Sequence, residues 1–201
     1  MPPACPGSRR NPQQCNSLTM AKAELYNRYP ISSVFIYNAS TILHFAIGGL
    51  ILCYTNRFVG SLGIVFGLLY FLFAFVEMYV TMPLQVCKNC VYFKLAGGLC
   101  ISGLNVIAKK IARPGKPSDF PKRAAGPLSP NNIYIFNLAF PILCGIPILI
   151  FNFSYPLLFL EVFLVTLLTV RFFFIIPQLA CLHCQSKFVC PQAGQMGVRE
   201  K

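Results

Sequence analysis

Four stretches of this chain, 31–54, 58–82, 133–153 and 155–176, are apolar on every face and nearly free of charge. A helix needs about 20 apolar residues to cross the hydrocarbon of a bilayer, and each stretch is long enough. The chain has 201 residues, of which 11% are charged, whereas soluble domains carry roughly 25%. That leaves too little polar surface to face water on all sides. The sequence therefore predicts an all-α integral membrane protein with four transmembrane helices. The first 30 residues are polar and show no short apolar run followed by a small-residue cleavage site. Met20 opens Met-Ala-Lys-Ala-Glu-Leu, a more ordinary beginning than Met-Pro-Pro-Ala-Cys. Cys5 and Cys15 carry little weight for that reason.

Charge gives the orientation. Of the seventeen Lys and Arg residues, only Arg57 and Arg171 lie outside the N-terminal segment, the central loop and the C-terminal tail. Basic residues in short flanking loops stay in the cytoplasm. Both termini and the loop 83–130 are expected there, in the plasma membrane of a prokaryote, with tight external turns joining each pair of helices. The chain divides into a disordered basic tail (1–30), a first hairpin (31–82), a cytoplasmic loop (83–130), a second hairpin (131–177) and a Cys-rich tail (178–201).

The two hairpins look like copies. Pro83-Leu-Gln-Val-Cys87-Lys-Asn-Cys90 closes the second span and Pro177-Gln-Leu-Ala-Cys181-Leu-His-Cys184 closes the fourth, each with a further cysteine downstream, Cys100 and Cys190. The prolines are expected to end or kink their helices, leaving both Cys-x2-Cys hooks at one height. Ten residues before the first cysteine stands Glu77 in one copy and Arg171 in the other. A charge inside a span is costly and is usually paired, so the matched depth and opposite sign predict an intramembrane ion pair, Glu77–Arg171, the alternative being that Arg171 reaches back to the cytoplasmic headgroups. His44 and Glu161 have no matched partner and are read as interhelical polar contacts, with a place on a proton or ion path as the alternative. Gly48, Gly49, Gly60, Gly63 and Gly67 suit close helix contact, and Pro141 and Pro147 are expected to kink the third span.

Thiols on the cytoplasmic side are kept reduced, which disfavours a disulfide. Two Cys-x2-Cys hooks supply the four thiolates of a tetrahedral zinc site. Cys87, Cys90, Cys181 and Cys184 are the expected ligands, with Cys100 and Cys190 as further candidates; Lys88, Lys94 and Lys187 would offset their charge. An iron–sulfur cluster is the alternative, since Cys181-x2-Cys184-x5-Cys190-Pro191 ends as ferredoxin runs do, although five residues stand where two or three are usual. Thiol redox chemistry is a third reading. In architecture alone the chain is similar to the vitamin K epoxide reductases and the quinone-linked disulfide formers, four-helix membrane proteins with cysteine pairs near helix ends. Here, however, both pairs face the reducing side.

No nucleophile elbow, phosphate-binding glycine loop, metalloprotease histidine motif or dinucleotide fingerprint occurs, so no catalytic residue is assigned. Residues 101–113 read as an amphipathic helix with Ile101, Leu104, Ile107, Ala108 and Ile111 on one side, suited to anionic headgroups. Residues 114–130, with five prolines, read as an extended linker. A lipid bilayer with anionic headgroups and a membrane or cytosolic protein are the expected partners; nucleic acid is not. The function expected is a structural or partner-docking module with a zinc-binding cysteine cap, the alternative being a thiol-redox or iron–sulfur electron-transfer protein.

Overall fold

The computed structural model describes residues 24–199. Cys5, Cys15, Met20 and most of the expected tail lie outside the described residues. Within them the chain is helical, with two isolated β-bridges and no longer strand. Helix α1 spans Ile31–Cys53 and α2 spans Leu62–Val76. A short helix α3, Leu104–Ile111, precedes α4, Pro130–Phe151, and α5, Tyr155–Val170. With their helical continuations, four helices are long and apolar enough to cross a membrane: Ile31–Val59, Leu62–Asn89, Pro130–Phe151 and Tyr155–Cys181.

Burial runs opposite to that of a water-soluble protein. Phe35, Phe151 and Phe159 are 70% exposed or more, while His44 and Arg171 are fully buried and Glu161 nearly so. Large contiguous apolar surface of this kind marks a face that water does not solvate. The interior holds the polar groups, satisfied in part by one another. Helix α1 is the centre, packed against α2, α4 and α5. Phe45, Leu52, Tyr70, Ala74 and Leu138 fill one core. Ile51, Ile148, Leu157 and Leu164 form a second, toward the two tight turns.

Lipid tails are as apolar as Leu, so helices here associate through close packing and interhelical hydrogen bonds. Gly67 of α2 lies against Gly49 of α1: a Cβ added at Gly67 would come 2.5 Å from the Gly49 carbonyl oxygen. The small-residue reading of this hairpin is correct at that crossing. Between α1 and α4, the His44 Nε2–H donates to the Leu138 carbonyl at 2.9 Å, and the Tyr70 hydroxyl donates to the Asn137 carbonyl at 2.8 Å between α2 and α4.

Pro83 and Pro177, expected to end or kink their helices, do not end them. Helix α2 widens into a π-helical turn at Glu77–Thr81 and resumes as Met82–Gln85. Helix α5 continues as a π-helical run, Arg171–Cys181, with Pro177 inside it. A proline lacks an N–H and crowds the carbonyl four residues back; hydrogen bonding to the fifth residue instead relieves that clash. The Met82 N–H accordingly meets the Glu77 carbonyl, and the Leu182 N–H reaches the Pro177 carbonyl at 3.0 Å. Both wide segments begin at the residues matched by sequence spacing, Glu77 and Arg171.

Three further expectations need revising. Residues 24–30 are docked rather than a loose tail. Helix α3 is shorter than 101–113 and buries Leu104 and Ala108 against the bundle, leaving Val106 and Ile111 exposed. The proline-rich segment is a set of 3-10 turns, Pro117–Ala124, anchored by buried Phe120 among Val86, Cys190, Ala193 and Val198.

Gly67→Ala forces the α1–α2 backbones apart and is expected to cost about 1–3 kcal/mol, as overpacked cores do. Thermal unfolding in detergent checks this; Leu68→Ala, at a 62% exposed position of the same helix, leaves the midpoint unchanged.

Candidate functional site

The first cysteine segment leaves α2 through a 3-10 turn, Cys87–Asn89, then turns extended at Cys90 to start the helix Val91–Lys94. The Asn89 side-chain amide donates to the Gln85 carbonyl at 3.0 Å and holds that turn. Asn105 of α3 fixes the next one: its amide donates to the Gly98 carbonyl at 2.8 Å and its carbonyl oxygen accepts the Cys100 N–H at 3.1 Å. Gly103, at φ 69°, supplies the left-handed step that only glycine takes readily before α3. The second segment starts where the π-helical run ends at Cys181. The Cys184 N–H reaches the Cys181 carbonyl at 3.2 Å, and Cys190 precedes the helix Pro191–Gln195.

Residues 24–30 cross both segments as a strap. The Tyr26 N–H donates to the His183 carbonyl and the Tyr29 N–H to the Leu99 carbonyl, each at 2.9 Å. The Tyr29 hydroxyl donates to the Ala180 carbonyl at 2.5 Å, and the Tyr92 hydroxyl to the Tyr26 carbonyl at 2.6 Å. The Tyr26 and His183 rings stack at 4.4 Å. One short piece of chain thus ties the Cys100 turn to the Cys184 turn.

Beneath the strap lies a cavity of about 170 Å³ lined by Cys87, Cys90, Cys100, Cys181, Cys184 and Cys190. All six predicted sulfur donors face one space, although 87 and 181 are distant in sequence. They ring it rather than meet: among the described residues no three Cys, His, Asp or Glu side chains are gathered closely enough to hold one ion, and the described cysteines are free thiols. Cys90 Sγ is 3.3 Å from the Ser186 hydroxyl and Cys100 Sγ 3.4 Å from the Ser102 hydroxyl. Arg123 Nη2 donates to Cys190 Sγ at 3.1 Å and to Gln192 Oε1 at 3.3 Å, while its guanidinium lies 4.6 Å above the Phe120 ring. Lys187 also lines the cavity and donates to the Leu182 carbonyl at 3.1 Å. Lys88 and Lys94, expected beside the sulfurs, are not among its lining residues.

Burial pushes the Cys90 thiol up, an effect the Ser186 hydrogen bond partly opposes. Burial, with neighbouring Cys90 and Cys181 adding to it against the backbone bond at Ser186, pushes Cys184 up to about 12. Both are neutral thiols at pH 7 and weak nucleophiles as they stand.

The expected Glu77–Arg171 ion pair does not form. The ion pair among the described residues is Lys122–Asp119, at 2.8 Å on the surface. Arg171 instead donates to the Tyr134 hydroxyl and lies over the Tyr37 ring at 5.0 Å and the Tyr134 ring at 5.7 Å. Its Nε and Nη1 and the Glu77 Oε1 have no hydrogen-bond partner among the described residues. Matched depth does not fix azimuth, and aromatic rings with hydroxyls offered the guanidinium a nearer neighbour. Glu161 packs against the α4 backbone at Gly145, where no side chain would fit; its carboxylate oxygens likewise have no partner there.

Comparison with family models, with curated proteins and with solved structures yields no match. The site must be read from its own chemistry. Arg123, Phe120, Ser186, Tyr29 and Tyr92 were not legible as site residues, because none sits in a spaced motif. Tyr92 and Ser186 lie near the cysteines in sequence and Phe120 and Arg123 near Pro121, but Tyr29 lies near neither.

Tyr134→Phe removes the acceptor for a buried guanidinium and is expected to lower stability by about 1.5–3 kcal/mol. Glu77→Arg combined with Arg171→Glu gives no rescue over the single changes; recovery in a double-mutant cycle of thermal unfolding would restore the ion pair.

Proposed function

We propose that the chain is a multi-pass membrane protein in which two helical hairpins, with termini and cysteine segments in the cytoplasm, are fixed together by a zinc-binding thiolate cap that serves as a structural or partner-docking module. One observation carries it: six cysteines from two segments distant in sequence line a single cavity. Both segments follow π-helical widenings that start at equivalent positions before a Pro-x3-Cys-x2-Cys phrase, which supports the repeat. The Lys and Arg distribution supports the orientation.

The donor set is consistent with zinc. Four thiolates suffice for a tetrahedral site, and Arg123 and Lys187 stand ready to balance the charge a thiolate site carries. Zinc binding requires the thiols to lose protons that burial now favours, so metal uptake releases protons and draws the sulfurs inward. With thiols held neutral by burial, exchange chemistry is the weaker reading.

The test is metal analysis with an optical spectrum on protein purified without oxygen. Zinc near one per chain and no visible absorption are expected; visible sulfur-to-iron bands, or metal-free protein with a reversible thiol pair, overturn the proposal. Cys184→Ser should release most of the zinc and lower the unfolding midpoint in the same preparation.

A pH dependence follows from the sign of the shift. In metal-free protein a thiol raised from 9.0 to about 12 contributes stability that is complete below pH 9.0 and disappears as pH climbs toward 12. Chelator-treated protein should therefore unfold at falling temperature across that window. Zinc-loaded protein behaves oppositely, losing its cap on acidification as protons compete for sulfur.

A further inference from the structure

Next to the thiol cavity, but outside it, is a wide open cup of about 590 Å³. Its wall combines Lys88 and Asn89 at the end of the second span, Pro130 at the start of the third, and the segment carrying Lys116, Lys122 and Arg123. Four cations face one carboxylate, Asp119, which is already engaged by Lys122 at 2.8 Å. The cup is constructed rather than incidental. The Gly115 N–H donates to the Lys88 carbonyl at 3.0 Å, and the Asn89 side chain lies so close to Gly115 that no side chain fits there. The Arg123 Nε is buried and has no hydrogen-bond partner among the described residues.

Its depth identifies the ligand. A basic depression walled by the last residues of one span and the first residue of another sits where the hydrocarbon gives way to headgroups. Basic pockets between helix ends on the cytoplasmic side take lipid phosphates. We propose that this cup binds the phosphate of an anionic phospholipid headgroup, with the acyl chains lying along the exposed apolar faces of α2 and α4. The cytoplasmic origin of that lipid rests on the orientation proposed above; the headgroup site itself does not require zinc. Because Arg123 also donates to Cys190 Sγ, the bound lipid is a neighbour of the thiol cavity.

The test uses full-length protein in phosphatidylcholine nanodiscs doped with phosphatidylglycerol, the retained anionic lipid being counted by native mass spectrometry. The same lipid faces both sides of such a disc, so a wrong orientation leaves the readout intact, and zinc content measured in parallel reports separately on the cap. Wild-type protein is expected to retain phosphatidylglycerol over phosphatidylcholine, with affinity falling about fivefold for each of Lys88→Gln and Lys116→Gln and weakening with added salt. Lys94→Gln, outside both the cup and α3, leaves retention unchanged. Lys116 is exposed, so its variant remains decisive if Lys88→Gln fails to fold. Equal retention by wild type and Lys116→Gln, an equal loss in Lys94→Gln, or displacement of the lipid by millimolar inorganic phosphate overturns the proposal, the last by making a soluble anion the occupant.

Discussion

A proline inside a membrane helix removes a hydrogen bond where no water can replace it. The chain meets that constraint twice, at Pro83 and Pro177, and in both places it widens the helix instead of ending it. Everything on the cysteine side depends on this choice. Continuous helices deliver Cys87 and Cys181 from the bundle on rigid stems, so the short turns that follow need only aim the sulfurs. A break at either proline would have left the cysteines on a loop whose height and direction nothing fixed.

What the stems deliver, other segments close. Asn105 shapes the Cys100 turn, Phe120 and Arg123 close one wall, and the tyrosines of the strap reach over both cysteine segments. Most of these are single side chains bonded to a distant backbone carbonyl, such as Tyr29 to Ala180 and Tyr92 to Tyr26. Such contacts satisfy buried backbone groups that would otherwise cost energy. They also place charge: the guanidinium of Arg123 reaches a sulfur and Lys187 lines the cavity, whereas Lys88 and Lys94 do not line it.

The spans were legible because length and uniform hydropathy are properties of contiguous residues; the predicted 133–153 and the observed Pro130–Phe151 differ only at their ends. That the six cysteines belong together was legible, because Cys-x2-Cys is a local spacing and occurs twice; all six line one cavity. Arg171 was misassigned because depth follows from counting residues, whereas azimuth depends on which helix packs beside it. Its tyrosine neighbours, Tyr37 and Tyr134, carried no charge to draw notice. Residues 24–30 and 114–130 were misjudged for a related reason: with no hydrophobic period, a few aromatic anchors such as Tyr29 and Phe120 decide the outcome.

The strap has a consequence for how the molecule assembles. Tyr26 leaves the ribosome among the first residues described, but its partner His183 is made only after the fourth membrane-length helix. The covering of the thiols is thus a late event spanning nearly the whole sequence, and contacts of such long separation form slowly. Until then the sulfurs stay uncovered, which makes the interval before docking the natural time for any ligand to reach them.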